Sequence, residues 1–206
     1  MNDLTRFWPS WLEDELRVRL EQAYDTGRGY HDLLHLTEVL EHVDELMDDE
    51  DPARETVLLA AWFHDAVYDG RGDDEERSAR FAVESLAGSS LAGEVARLVR
   101  VTQHHRPADD DVAGQVLCDA DLAILAAPPD RYASYVDGVR AEYSHVPDAD
   151  FAVGRAAVMR DLLEKPSLFH TPAARDRWEE AARANIEREL ADRLGPTSSG
   201  TPAEPS

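Results

Sequence analysis

Histidine and acidic residues recur in this sequence at spacings that could join them around a metal ion. His31 and His35 are four residues apart, so they share one face of a helix. Imidazole nitrogens together with carboxylate oxygens suit Mn, Fe, Co, Ni or Zn better than calcium. The sequence therefore predicts a divalent-cation site to which several segments contribute. The other pairs of such residues are His64-Asp65, His104-His105 and Asp119 with Asp121.

The adjacent pair His64-Asp65 sets a geometric condition on this site. Neighbouring side chains on a helix point about 100° apart, so both can contact only an ion that lies between their directions. His35 and Asp121 from two other helices complete four ligands, with positions left open for water and substrate. Asp119 is the rival of Asp121, but residues two apart on a helix point nearly oppositely, and the Ala-Asp-Leu context favours Asp121.

A simpler reading of His64 and Asp65 is a histidine at a helix end beside an ordinary surface acid. Both residues follow directly on the apolar segment 57–63, however. A polar pair in that place is costly unless something satisfies it, which favours the metal site.

Helical periodicity runs along most of the chain, and strand signals are nearly absent. We predict one all-α domain of eight to nine helices over residues 1–194. Asp51-Pro52 predicts an N-cap followed by proline at the first helical position, and Asp73 with Glu76 fits a capping box. The Gly-, Pro-, Ser- and Thr-rich segment 195–206 is predicted to be a disordered tail. The predicted helices cover about 10–26, 33–49, a segment from 52 through 57–63, 73–87, 91–105, 112–126, a stretch around 132–143, 149–164 and 173–194.

The composition restricts location and partners. With 43 acidic and 21 basic residues the formal charge is −22, so long nucleic acids and anionic membrane surfaces are unfavourable partners. Cys118 is the single cysteine, which excludes a disulfide framework or a cysteine-based zinc site within one chain. No stretch approaches 18 apolar residues and no signal pattern opens the sequence, so we expect a cytoplasmic protein without a membrane segment.

The order His35, His64-Asp65 and Asp121 resembles the HD superfamily of metal-dependent phosphohydrolases, which is named for the adjacent pair. A small bacterial group of predicted HD phosphohydrolases is more similar still, and the resemblance covers roughly residues 5–194. Asp74 stands where that group usually has asparagine. The matching segments are Arg28-Gly29-Tyr30-His31, 62–68, Glu75 with Ser78-Ala79, Thr102 with His105, 119–122, 139–143 and 182–185.

The resemblance implies a compact helical HD domain that hydrolyses a phosphate ester or pyrophosphate, often on a nucleotide. One divalent ion (Mn, Fe, Co, Ni, Zn or Mg) would be held by His35, His64, Asp65 and Asp121 and would activate a water molecule. Asp65 would also orient that water. A small phosphorylated substrate fits the charge of the chain, because it can enter a cleft alone.

Four further residues have predicted roles around the substrate. Arg28, His31 and His105 would neutralise phosphate oxygens, and Glu75 would take or relay a proton. Three of them have a structural alternative, since His31 and Glu75 fall near helix N-termini and His105 near a helix C-terminus.

Two other functions stay open at this stage. A catalytically idle HD fold would bind a nucleotide or a partner protein as a regulator. A di-iron oxygenase would need a second ion, for which His104 and His105 are the available ligands.

Overall fold

The periodic apolar positions of the sequence form an all-helical structure. The computed structural model describes residues 4–25, 27–70 and 72–194, and within these ranges there is no strand. The predicted all-α class is confirmed, while the predicted tail 195–206 lies outside the described residues. The described residues form nine α-helices, with 3-10 helices at Leu4–Phe7 and Ala123–Ala126. The α-helices are α1 (Asp14–Asp25), α2 (Leu33–Leu46), α3 (Arg54–Phe63), α4 (Asp74–Ser85), α5 (Ala92–Val101), α6 (Val112–Leu122), α7 (Pro129–Glu142), α8 (Asp148–Glu164) and α9 (Pro172–Leu194).

Two apolar clusters form the interior. The first joins α1 to α6 and is centred on α3, in which all eight residues 56–63 are buried. The second joins α7, α8, α9 and the 3-10 helix Ala123–Ala126, and it also includes Tyr30 from the loop before α2. The N-terminus of α2 and the C-terminus of α6 lie where the two clusters meet.

Two predicted helix starts differ in detail from the structure. Asp51 does not cap α3: its Oδ1 accepts the N–H of Ala53 at 2.8 Å, and the helix begins three residues after it, at Arg54. Asp73 likewise makes no side-chain cap on α4. The predicted capping box fails because Glu76 binds arginine side chains at 2.8 and 2.5 Å, which offer a charged partner instead of a neutral N–H.

The end of α5 carries an unusual backbone conformation. The helix was predicted to reach His105 but ends at Val101, and residues 102–105 continue as tight turns. The N–H of His105 still binds the carbonyl of Val101 at 3.1 Å, and His105 has φ +47°. A left-handed residue followed closely by proline is a common way to stop a helix. Pro107 supplies that proline here.

The loop before α2 is fixed against α7 by a glycine-to-glycine approach. A Cβ on Gly29 would lie 2.2 Å from the carbonyl oxygen of Gly138, and a Cβ on Gly138 would lie 2.5 Å from that of Gly29. No larger residue fits at either position without moving backbone. The loop that carries His31 is therefore held by a helix more than a hundred residues further along the chain.

Among the described residues, no single helix is both long and apolar enough to cross a membrane. Residues 112–126 and 129–142, which meet at an angle of 106°, satisfy the length and composition criteria only when taken as a pair.

Candidate metal centre

Three segments bring imidazole and carboxylate groups together where the two apolar clusters meet. We call His35, His64, Asp65 and Asp121 the histidine–aspartate cluster. His35 lies in the first turn of α2, where the side chain of Asp32 caps the helix by accepting the N–H of His35 at 3.1 Å. His64 and Asp65 follow the last residue of α3, and Asp121 is in the last turn of α6. All four are buried or nearly so.

The distances between the donor atoms suit a single ion. The Nε2 atoms of His35 and His64 are 3.1 Å apart. Asp121 Oδ1 lies 3.3 and 3.8 Å from these two nitrogens, and Asp65 Oδ2 lies 3.5 and 3.2 Å from them. Two ligand atoms each about 2.1 Å from one ion, at octahedral to tetrahedral angles, are about 3.0–3.4 Å apart. The buried cluster of His35, His64 and Asp121, whose ligand atoms lie within 4.8 Å of one another, could therefore hold a metal ion.

The second ring nitrogen of His64 supports this assignment. Its Nδ1 lies 2.7 Å from the carbonyl oxygen of Ala61, one of the acceptors left unpaired at the end of α3. Because a carbonyl only accepts, Nδ1 carries a proton, and Nε2 is the atom that faces the cluster and could offer a lone pair to an ion. Metal-binding histidines are commonly oriented in this way.

Burial and charge act against each other in the cluster. Burial disfavours a charged His35, yet its hydrogen bonds with Asp121 and Asp65 outweigh that effect and raise its pKa to about 9. The pKa of His64 is raised for the same reason, with Asp65 the main opposing charge. Burial also raises the pKa values of Asp65 and Asp121, but the surrounding imidazoles bring both below the ordinary value. Protons on the histidines thus balance two buried carboxylates, and a dication could replace them.

His105 contacts Asp121 from the outer side. Its Nε2 lies 2.8 Å from Asp121 Oδ2, while Oδ1 faces His35. Since the low pKa of Asp121 keeps the carboxylate ionised, Nε2 is the donor. The left-handed backbone of His105 is a conformation that costs about 1–2 kcal/mol in an L-residue. His105, predicted to bind substrate, lies where it orients a candidate ligand, and its neighbour His104 is exposed.

Asp119 serves the fold. It is fully buried, and its two carboxylate oxygens accept the N–H groups of His170 and Thr171, each at 2.7 Å, just before α9 begins. Asp119 and Asp121 therefore lie on opposite sides of α6, as the helical spacing predicted. Only Asp121 belongs to the cluster.

Arg28 holds the backbone beside the cluster. It donates to three carbonyl oxygens, those of His31, Asp65 and Ala66, at 2.8, 2.6 and 3.2 Å. Three of its five N–H donors are thus committed to the chain itself. Its guanidinium also lies 4.8 Å from the centre of the Tyr24 ring. Tyr24 in turn donates to the Trp62 carbonyl and accepts the N–H of Asp65. The turn that carries His64-Asp65 is fixed by these two side chains.

His31 is held by a carboxylate from α7. Its Nδ1 lies 2.8 Å from Oε2 of Glu142, whose other oxygen accepts the backbone N–H groups of residues 29, 30 and 31. Burial raises the pKa of Glu142, but the His31 contact and these N–H groups lower it to about 2. An ionised Glu142 can only accept, so Nδ1 of His31 donates and Nε2 is left for another partner. The imidazole is stacked on Tyr68 at 4.1 Å and lies 5.5 Å from the His35 ring, with 21% of its side chain exposed.

The two acidic residues at the start of α4 have different environments. Glu75 is half-buried and hydrogen-bonds to no member of the cluster in the described part of the chain. Asp74 is buried and accepts the N–H groups of Asp69 and Gly70 at 3.2 and 2.9 Å. It also pairs with Arg77 at 3.0 Å. Asp74 therefore shapes the loop that follows the cluster.

Sequence reasoning missed the link between Glu142 and His31. Nothing local in the sequence connects residues that are 111 positions apart. The position of Tyr30 beside the cluster was also not predicted. Its ring lies 4.7 Å from that of His35, and its buried hydroxyl has no hydrogen-bond partner within the described residues. The chain matches no protein-family model, no curated protein and no solved structure.

Proposed function

We propose that this protein is a metal-dependent phosphohydrolase of the HD type that acts on a small phosphorylated molecule. The observation that carries the proposal is the convergence of His35, His64 and Asp121 at separations that suit one ion. Asp65, adjacent to His64 and 3.2 Å from its Nε2, is the proposed fourth ligand. A mixed nitrogen and oxygen donor set of this kind fits a divalent transition metal or zinc.

The charge of the whole chain agrees with a substrate that enters a cleft alone. A surface with a net charge of −22 repels long polyanions. At the cluster, a dication would balance the two carboxylates of Asp65 and Asp121. His31 and Arg28 beside it add positive charge where a phosphate would approach. Attraction of a phosphate is then local, and we propose a nucleotide or another small phosphoester or pyrophosphate as the substrate.

The chain's own residues supply binding and proton transfer in this proposal. A bound divalent ion would polarise a phosphoryl oxygen and would lower the pKa of its bound water towards about 7. Asp65 orients the attacking water. His31, protonated on both ring nitrogens, donates Nδ1–H to Glu142 and gives its Nε2 proton to the leaving oxygen as the phosphorus–oxygen bond breaks. Glu142 is the positioning residue, and its carboxylate stabilises the protonated imidazole.

The test begins with the chelated protein reloaded separately with Mn, Mg, Co, Ni and Zn. Metal content is measured by elemental analysis and hydrolysis is measured on nucleotides, sugar phosphates and two aryl phosphates. We expect turnover that is lost in Asp65→Asn and Asp121→Asn but retained in Asp109→Asn, a control on an exposed loop. Stoichiometric metal without turnover of any substrate would refute the enzyme and favour the idle, ligand-binding alternative.

Glu142→Gln examines the proton-transfer step. The amide can still accept the three backbone N–H groups, but it carries no negative charge, and its NH2 can donate only to an unprotonated Nδ1 of His31. The substitution therefore disfavours the doubly protonated imidazole that acts as the acid. General acid catalysis contributes about 10²–10⁴-fold. We therefore expect a loss of about 100-fold or more on phenyl phosphate and a much smaller loss on 4-nitrophenyl phosphate, whose leaving group needs no proton. Equal losses on both would show that Glu142 acts only through the fold.

A further inference from the structure

A cavity of about 360 Å³ lies between α8 and α9, in the second apolar cluster and apart from the histidine–aspartate cluster. Small-molecule sites occupy about 300–1,000 Å³. Most of its wall is apolar, because Ala152 and Ala156 lie one turn apart on α8 where larger side chains would fill the space. The other apolar wall residues are Phe151, Met159 and Leu190.

The base of this cavity is a buried ion pair. Arg155 binds both carboxylate oxygens of Glu189, at 2.9 and 3.1 Å, and Glu189 is only 5% exposed. The hydroxyl of Tyr132 donates to the same carboxylate at 2.7 Å. The charge of Glu189 is therefore fully compensated, and the base of the cavity carries no excess negative charge.

The rim of the cavity holds a second arginine with a much weaker partner. Arg140 lies with its guanidinium 4.8 Å above the Phe151 ring and binds Asp148 through Nε and NH2 at 3.1 and 2.5 Å. The Asp148 side chain is 92% exposed. Exposed ion pairs of this kind contribute little, about 0.2–1 kcal/mol. Asp148 thus occupies the carboxylate-binding edge of Arg140 and can be displaced into solvent at low cost.

We infer that this cavity binds a small carboxylate with an apolar body, of the size of a medium-chain fatty acid. The carboxylate replaces Asp148 on the Nε and NH2 edge of Arg140, and the apolar part lies over Phe151 and between the two alanines. Charge complementarity favours an anion. The described lining carries two arginines and two carboxylates, and Arg155 and Glu189 neutralise each other. Once Asp148 turns into solvent, Arg140 is the charged group left for a ligand. The site is independent of the proposed hydrolytic function.

Octanoate is the probe, with binding measured by calorimetry and by the Nε–H signals of Arg140 and Arg155 in the full chain. We expect binding in the millimolar range or tighter, with octanol much weaker. Asp148→Asn should tighten octanoate binding about two- to fivefold, the value of the displaced ion pair. Ala152→Leu should abolish binding by filling the cavity, whereas Val153→Leu, at a 71% exposed neighbour, should leave it unchanged.

Three results would each overturn the inference. One is the absence of octanoate binding to the wild-type chain, and another is octanol binding as tightly as octanoate. The third is an affinity that Asp148→Asn leaves unaltered. Because Asp148 is exposed, we expect Asp148→Asn to fold normally. The inference can therefore be tested with Asp148→Asn even if Ala152→Leu disturbs the packing of the protein. Octanoate should bind equally well with and without metal. The result of this experiment is therefore independent of whether the protein is a phosphohydrolase.

Discussion

Substitution of Asp119 or Asp121, the two aspartates on α6, should affect different properties of the protein: stability in the first case and metal binding in the second. Asp119→Ala removes the acceptor of two part-buried backbone N–H groups, those of His170 and Thr171, and leaves both without this partner. Asp121→Ala removes a carboxylate that faces imidazoles, which can lose their protons once it is gone. We therefore expect the first variant to lose stability with its metal site intact, and the second to lose its metal site.

The magnitude follows from the hydrogen bonds. Each bond to a charged group contributes about 1.5–3 kcal/mol. Burial of the Asp119 carboxylate raises its pKa and offsets part of that gain. A net loss of about 3 kcal/mol in Asp119→Ala is the result. For a chain of this size, that loss lowers Tm by about 6–12 °C.

Thermal denaturation of the metal-free proteins measures the stability, and calorimetric titration with Mn or Zn below Tm measures the binding. Asp119→Ala should bind one ion with an affinity close to that of the wild type, and Asp121→Ala should show little or no binding. The reasoning is refuted if Asp119→Ala is as stable as the wild type. It is equally refuted if Asp121→Ala keeps the wild-type affinity.

Two further outcomes are expected. Burial lowers the pKa of His35 but its carboxylate neighbours raise it to about 9. The metal-free protein should therefore lose stability as pH rises from about 6.5 through about 9, and a saturating divalent ion should remove this loss. The measurement is urea denaturation at several pH values in that range. A free energy of unfolding that stays constant or rises with pH would contradict the prediction. Gly138→Ala, whose Cβ would lie 2.5 Å from the Gly29 oxygen, should destabilise by about 1–3 kcal/mol in urea. Gly154→Ala, with open space around it on α8, is the control that should not destabilise.

The sequence was most informative where one face of a helix is buried. The apolar run 57–63 predicted a central helix, and α3 is the most deeply buried element of the first cluster. Helix ends were less predictable, because a carboxylate such as that of Asp51 or Glu76 can bind any nearby donor. The tertiary structure decides which donor is closest, as the arginine partners of Glu76 illustrate.

The candidate ligands of the site could be predicted from the sequence, but the residues that hold these ligands in place were harder to predict. His35, His64 and Asp121 were identified from residue type and helical spacing, and the structure brings them together. Arg28, by contrast, was predicted to bind phosphate, although it donates to backbone carbonyls. Residue type alone does not say whether a guanidinium faces a ligand or its own chain. The same limit applies to Glu142, whose partner lies 111 positions away.

The contact between Gly29 and Gly138 has a consequence for how the chain folds. The two residues are separated by more than a hundred positions, so the contact closes one of the longest loops in the molecule. While the chain is being synthesised, α2, α3 and α6 can pack before α7 exists, and His35, His64 and Asp121 can then approach one another. His31 has no Glu142 until α7 docks. The histidine–aspartate cluster is therefore expected to form early in folding, and the His31–Glu142 pair should form last, when the C-terminal helices close the structure.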